Sequence, residues 1–400
     1  MKYTSCQENA KNELEHFLLG SEDVIILSAP AGRGKSYLLD TMLGDLDEVN
    51  QLARILDVPQ LNKVSMTAMS NKAARVINGV TFDSLLGLRP KPNFKTGKTY
   101  RQRIGGKGRP QANSIIVLDE AGMLDSDGLK HLAELTHDCK VILSCDRYQL
   151  PPVGEAESPI FNMGIRMVEM ETPVRQSEGS PLLLLCDALR EGVKNQTLTD
   201  IVESDEVYYV GDEEAKHFFE NMTDEDRVIG YTNDFAIRLN QTVRNFKGID
   251  GFWQPGELLV SNGILRQNEQ TLLNNEDTLM VQDVGSDTIN EWGIHCTELY
   301  TSKGGFLVPN NPSDVSTLLA KYKRSQDWRS WYGLKETVPD LRGTHTVTAH
   351  KSQGSTYNNV LINLNNLKKA YWQDKNLFYR LLYVAISRAK GKVLLYGSLF

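Results

Sequence analysis

The sequence predicts an α/β protein whose sheets are built from buried parallel strands. Three observations carry that expectation. The apolar run Val24-Ile25-Ile26-Leu27 leads through a glycine-bearing turn into an apolar-periodic segment at 37–43. A second run, Ser114-Ile115-Ile116-Val117-Leu118, is apolar without alternation, as a strand covered on both faces must be. The same strand-and-helix grammar returns at 227–243 and again at 360–396.

Composition narrows the field. A chain of 400 residues, 40% hydrophobic and 24% charged, has room for roughly two to four domains. The net charge of −7 is no nucleic-acid signature, so any such binding must come from local basic clusters. The five cysteines, Cys6, Cys139, Cys145, Cys186 and Cys296, form no C-x-x-C pair. A disulfide framework and a cysteine metal site are disfavoured, and a reducing cytoplasm is expected. The N-terminus lacks a signal-peptide core, and no apolar run approaches the roughly 20 residues of a membrane span, so no membrane partner is expected.

Residues 7–19 carry Ala10, Leu14, Phe17 and Leu18 at helical spacing, with Gln7 expected at an exposed turn. Next comes Ala29-Pro30-Ala31-Gly32-Arg33-Gly34-Lys35-Ser36. Strand, glycine-bearing loop and helix make a phosphate cradle, with Lys35 for the β- and γ-phosphates and Ser36 for Mg²⁺. Residues 63–76 read as a short strand and a helix starting near Ser70, where Thr67 and Ser70 could hold an anion.

Between Arg89 and Arg109 lie eight basic residues and no acidic one, with Phe94 and Tyr100 interleaved and Gly97 as a turn signal. A positive hairpin of this kind can contact a polyphosphate backbone and stack on bases; a solvated basic loop is the plain alternative. The run at 114–118 ends on Asp119 and Glu120, at the sheet edge where ligands sit in open α/β folds. Asp119 suits Mg²⁺, and Glu120 suits polarisation of an attacking water. Val141-Ile142-Leu143-Ser144 is a further strand, leading to a Leu-Pro-Pro turn that could hold Gln149 against a γ-phosphate. Ser180-Pro181 and Gly192 bracket a helix. Residues 256–341 switch to short β-like runs and a basic-aromatic helical stretch, a β-rich insertion expected to form a barrel.

Taken together, these stretches resemble the motif series of superfamily 1 helicases of class B, most of all the small Dda-type enzymes of T-even bacteriophages. The resemblance implies two RecA-like P-loop NTPase domains, 1–86 with 111–185 and 186–255 with 342–400. It makes 87–110 a basic β-hairpin insertion and 256–341 a small SH3-like barrel. It implies an ATP- and Mg²⁺-dependent helicase moving 5′ to 3′ on single-stranded DNA and opening single/double-strand junctions, as a monomer in phage replication or recombination. A single-strand-binding protein or replisome is a candidate contact. Under the resemblance Gln7 reads adenine. Ala31, Gly32, Arg33, Gly34, Lys35, Ser36, Gln353 and Gly354 face nucleotide, and Ser36 and Asp119 face the metal. Glu120, Gln149, Arg175 and Arg388 join Lys35 in catalysis, the two arginines as fingers. Thr67, Asn71, Phe94, Tyr100, Thr232, Asn233, Thr348, His350 and Lys351 fall at DNA-contacting positions, with Phe94 ahead of Tyr100 as the separating pin. Four positions depart from the family pattern: Ala29 for glycine, Arg33 for threonine, Cys145 for glycine and Asp83 for histidine. Asp83 would repel phosphate. Two other functions stay open: a single-strand translocase that strips proteins with little unwinding, and a nucleotide-gated DNA-binding module.

Overall fold

The computed structural model describes residues 3–30, 32–61, 63–171, 179–267 and 270–399. Two parallel sheets form the core of two lobes. In the first, the strand order is Met167–Glu169, Val24–Ser28, Lys140–Cys145, Ile115–Asp119, Val64–Ala68 and Val80–Thr81, and every pairing is parallel. The apolar runs read from the sequence are its central strands. Ile115, Ile116, Val117 and Leu118 are fully buried because helices cover both faces. Helices Ser5–Leu19 and Lys35–Leu43 bury Ala10, Leu14, Phe17, Leu38 and Leu39 on one face. Helix Ser126–Leu135 buries Leu132 and Leu135 on the other.

The second sheet runs Val207–Val210, Val393–Tyr396, Val360–Asn363, Arg227–Gly230 and Thr346–Thr348, again all parallel. Helices Pro181–Asn195 and Lys375–Ile386 share one apolar cluster on this sheet. That packing corrects the domain boundary expected at 185/186. Leu182, Leu185, Leu189 and Val193 all bury into the second core, so the helix belongs to that lobe from its first turn.

Each lobe carries an excursion. Strands Leu88–Pro92 and Thr99–Arg103 form an antiparallel hairpin off the first, and Gly97 turns at φ +68° as its sequence position suggested. Off the second, strands Leu258–Ser261, Thr278–Ile289, His295–Thr301, Gly304–Pro309 and Leu341–Gly343 make a five-stranded antiparallel sheet around Leu259, Leu279, Val281 and Leu299. Helices Pro312–Arg324 and Trp328–Thr337 complete it. The two excursions touch. The Tyr332 hydroxyl donates to the Gly97 carbonyl at 3.0 Å, and the Phe94 ring meets Tyr332 edge-on at 6.2 Å. Among the described residues no helix is long and apolar enough to cross a membrane.

Candidate active site

The phosphate loop leaves Val24–Ser28 at the carboxyl edge of the first sheet. Gly32 and Gly34 hold φ of +78° and +79°, a backbone that only glycine takes freely. A side-chain carbon built on Gly32 would meet nothing within 4 Å, so the cradle is open. Ala29 is buried but is not among the positive-φ residues, which is why alanine serves where glycine is usual. Lys35 folds back, its ammonium donating to the carbonyls of Ala29 and Pro30. Ser36, at the start of helix Lys35–Leu43, is exposed beside it.

Asp119 ends its strand and accepts a 2.8 Å hydrogen bond from Ser144 on the neighbouring strand. Glu120 follows at φ +54°, a strained conformation for a residue with a side chain. Burial first, then the Asp119 charge, pushes the Glu120 carboxyl up; Lys35 and Arg388 pull it back. Arg388 belongs to the second lobe, so its charge reaches this carboxylate across the seam. Arg388 is buried, with Nε on the Val384 carbonyl at 3.0 Å and Nη1 on the Ser355 carbonyl at 3.2 Å. Gly354, at φ +71°, is also of the second lobe, and a carbon built on it would lie 4.0 Å from Glu120 and 3.5 Å from Ala73.

Gln149 is buried on the rigid turn after Lys140–Cys145. Its Nε2 donates to Asp146 at 3.4 Å, and its Oε1 has no partner. Gln7 is buried too, which corrects the exposed turn expected for it. It closes a capping box with Thr4, accepting from Thr4 N at 3.0 Å, while its Nε2 is unpartnered. Gln353 Oε1 and two nitrogens of Arg33 are likewise buried without partners. Of these, Arg33 lines one cavity with Gly32 and Arg388, and its unsatisfied buried nitrogens fit a polyanionic ligand there. Ala31 and Arg175 lie outside the described residues.

Sequence reasoning missed how the lobes grip each other. Asp146 accepts from the Tyr383 hydroxyl at 2.6 Å, and Arg190 lies 3.8 Å away. Arg380 donates to the carbonyls of Arg147 and Gln149. The turn that carries Gln149 is therefore bonded to helix Lys375–Ile386 of the other lobe. An arginine and two tyrosines in the otherwise apolar, buried run 378–386 of that helix were the available signal.

The expected DNA-facing residues divide. Asn71 starts helix Asn71–Val76, against which the 353–357 loop leans, with Lys72 over the Tyr357 ring at 5.4 Å. Thr348 and Thr232 cap helices Ala349–Ser352 and Asn233–Phe246. His350 stacks near Tyr231, and burial lowers its pKa. Lys351 donates to Asn262, and Asn233 accepts from Arg342 at 3.4 Å. Phe94 and Tyr100 are exposed on the hairpin. Thr67 is fully buried, donating to the Val117 carbonyl at 2.8 Å. Asp83 gains a role instead. It accepts from Arg101 Nε at 2.9 Å while Asp125 takes Arg101 Nη1 at 2.7 Å, so acids anchor the hairpin root.

Two parallel-sheet lobes closing on one phosphate loop, with an acid from one and an arginine from the other, define a two-lobed P-loop nucleotide hydrolase. Residues 5–227 match the AAA domain family, and the chain belongs to it. Residues 344–396 match the UvrD-like helicase C-terminal domain. With both matches in this order, the protein is an ATP-driven DNA helicase. An uncharacterized protein of Acanthamoeba polyphaga mimivirus is 20% identical over 492 residues, covering 98% of each chain. A structure of two coordinating Pif1 helicases at forked dsDNA has a TM-score of 0.55 at 14% identity, covering 100% of this chain and 93% of that one. A Bacteroides Pif1 helicase in complex with ADP-AlF3 and ssDNA has a TM-score of 0.55 at 15% identity with the same coverage. Pif1 from Candida albicans has a TM-score of 0.52 at 16% identity, covering 100% and 95%. At these identities the likeness is one of fold.

Proposed function

We propose that this helicase is a class B enzyme of superfamily 1, of the Dda type, that moves 5′ to 3′ on single-stranded DNA and opens junctions. The observation that carries the hydrolase part of this reading is that a second-lobe loop reaches Glu120, whose recessed carboxyl also feels the Arg388 charge. A binding module needs neither a recessed carboxylate nor a facing guanidinium; a hydrolase needs both. Lys35 exchanges its loop carbonyls for the β- and γ-phosphates. Glu120, its affinity for protons raised by burial, takes a proton from the attacking water. Gln149 and Arg388 hold the γ-phosphate from opposite sides, with Arg175 as the second finger, and Gln7 receives adenine. Ser36 and Asp119 would hold Mg²⁺, which when bound neutralises charge on the phosphate oxygens.

The lobes are read as RecA-like domains, 1–86 with 111–180 and 181–255 with 342–400. Residues 87–110 serve as the separating hairpin and 256–341 as the SH3-like insertion. Closure of the seam on nucleotide and its reopening after hydrolysis alternate the two grips on the strand, which Asn71, Thr232, Asn233, Thr348, His350 and Lys351 provide. The enzyme is read as a cytoplasmic monomer in phage replication or recombination, where a single-strand-binding protein would be its neighbour. Pif1 structures bound to ssDNA and to forked dsDNA support the choice of DNA substrate. The test is unwinding of duplexes with a 5′ or a 3′ single-stranded tail, with and without ATP. Only the 5′-tailed duplex should open, only with ATP, and not with Lys35→Ala; opening of the 3′-tailed duplex alone would overturn the polarity.

A further inference from the structure

Arg33 is a residue of the phosphate loop, at a position where the family pattern has threonine. Its guanidinium is 3% exposed and crosses the seam to pair with Asp187, which is 46% exposed. Asp187 sits on helix Pro181–Asn195, whose apolar face belongs to the second core. Nη2 of Arg33 holds the Asp187 carboxylate, while Nε and Nη1 are buried with no partner. Burying a guanidinium with only one of its three nitrogens satisfied is costly, and such a group gains from any polyanion that reaches it. Gly32, Arg33, Asp187 and Arg388 line the same cavity.

We infer that Arg33 and Asp187 form a latch across the seam, which the nucleotide's phosphates open by taking Arg33 from Asp187. The inference rests on the phosphate-loop reading of the site and deepens it. Without nucleotide, Asp187 supplies the negative charge that Arg33 needs and ties the loop to the second lobe. A polyphosphate in the cradle brings more negative charge and more acceptor oxygens within reach of the free nitrogens. Asp187 then leaves, and the tie between the loop and the second lobe is broken. Asp187 is thus a competitor of the nucleotide, and Arg33 a positioning residue that reports phosphate to the far lobe.

The competition has a signature that simple structural support does not. Asp187→Asn keeps the shape and removes the charge, so Arg33 is left free for phosphate. Binding of a fluorescent non-hydrolysable ATP analogue, measured without DNA, should tighten about two- to fivefold. In an Arg33→Thr background the same Asp187→Asn change should alter the Kd by less than about 1.5-fold, because the latch is already gone. An unchanged or weaker Kd in Asp187→Asn would overturn the latch, and so would equal tightening in the Arg33→Thr background. Both results leave the site reading standing so long as Lys35→Ala still abolishes binding. If Lys35→Ala binds as the unsubstituted chain does, the phosphate-loop reading fails, and the latch with it.

Discussion

Removing Arg101 tests whether the hairpin must be held rigidly to separate strands. The guanidinium is 17% exposed and faces three carboxylates: Asp83 at 2.9 Å, Asp125 at 2.7 Å and Asp127 at 3.4 Å, themselves 37%, 35% and 48% exposed. Pairs this open to water contribute about 0.2–1 kcal/mol each, and the longest adds least. Arg101→Ala therefore costs the hairpin root about 1–2 kcal/mol, part of it because three like charges are left facing one another. That raises the population of a displaced root about 5–30-fold. The assay is strand separation on a 5′-tailed fork, with single-strand-stimulated ATP hydrolysis measured on the same preparation. Unwinding should fall at least about fivefold while hydrolysis holds within about twofold. Arg101→Lys, which can keep one of the pairs, should fall between. Unchanged unwinding, or hydrolysis falling in step with it, refutes the reasoning.

Other outcomes follow from single contacts. Tyr383→Phe removes a hydrogen bond to the buried Asp146 carboxylate and should cost about 1–2 kcal/mol, read as a lower urea midpoint together with a lower kcat; an unchanged midpoint argues against the contact. Burial, then the positive Lys247 and Arg227, lowers the His345 pKa to about 4. The unfolded chain, with an ordinary histidine near 6.5, takes up that proton first, so stability is intact above about pH 6.5 and falls as pH drops toward 4. His345→Gln should flatten that limb by up to about 3 kcal/mol, and a stability–pH profile that keeps its slope would count against this assignment. Gly97→Val would put a carbon 2.6 Å from the Trp328 ring, lifting the hairpin tip off helix Trp328–Thr337. Tryptophan emission should shift to the red; an unaltered spectrum would mean the tip does not dock there.

What the sequence disclosed is what is written locally. Strands buried on both faces announce themselves as apolar runs, and Asp119 and Glu120 stand where such a run stops. The helix ends at Ser70 and Ser180-Pro181 were legible for the same reason, since caps and N-terminal prolines act within one turn. Pairings between lobes were not legible. Tyr383 and Asp146 lie 237 residues apart, and Arg33 and Asp187 lie 154 apart, so no local period encodes either contact. The burial of Thr67 and Gln7 was hidden for a related reason. A short polar side chain in a strand or first turn can face water or satisfy the backbone inside, and only the packed neighbours decide. Asp83 looked unfavourable while DNA was its only imagined partner; Arg101 lies 18 positions further along the chain, on the second strand of the hairpin.

The large excursion of the second lobe leaves and returns through neighbouring strands. Leu258–Ser261 and Leu341–Gly343 are hydrogen-bonded side by side, with Leu259 opposite Gly343. The host therefore meets this whole module as it would meet a tight turn, through two adjacent stems. Lengthening a loop costs only about 0.6 kcal/mol per doubling, so the core is nearly indifferent to how much chain is strung between those stems. Such an attachment lets evolution trade the module for a larger, smaller or absent one without rewriting the lobe that bears Arg388.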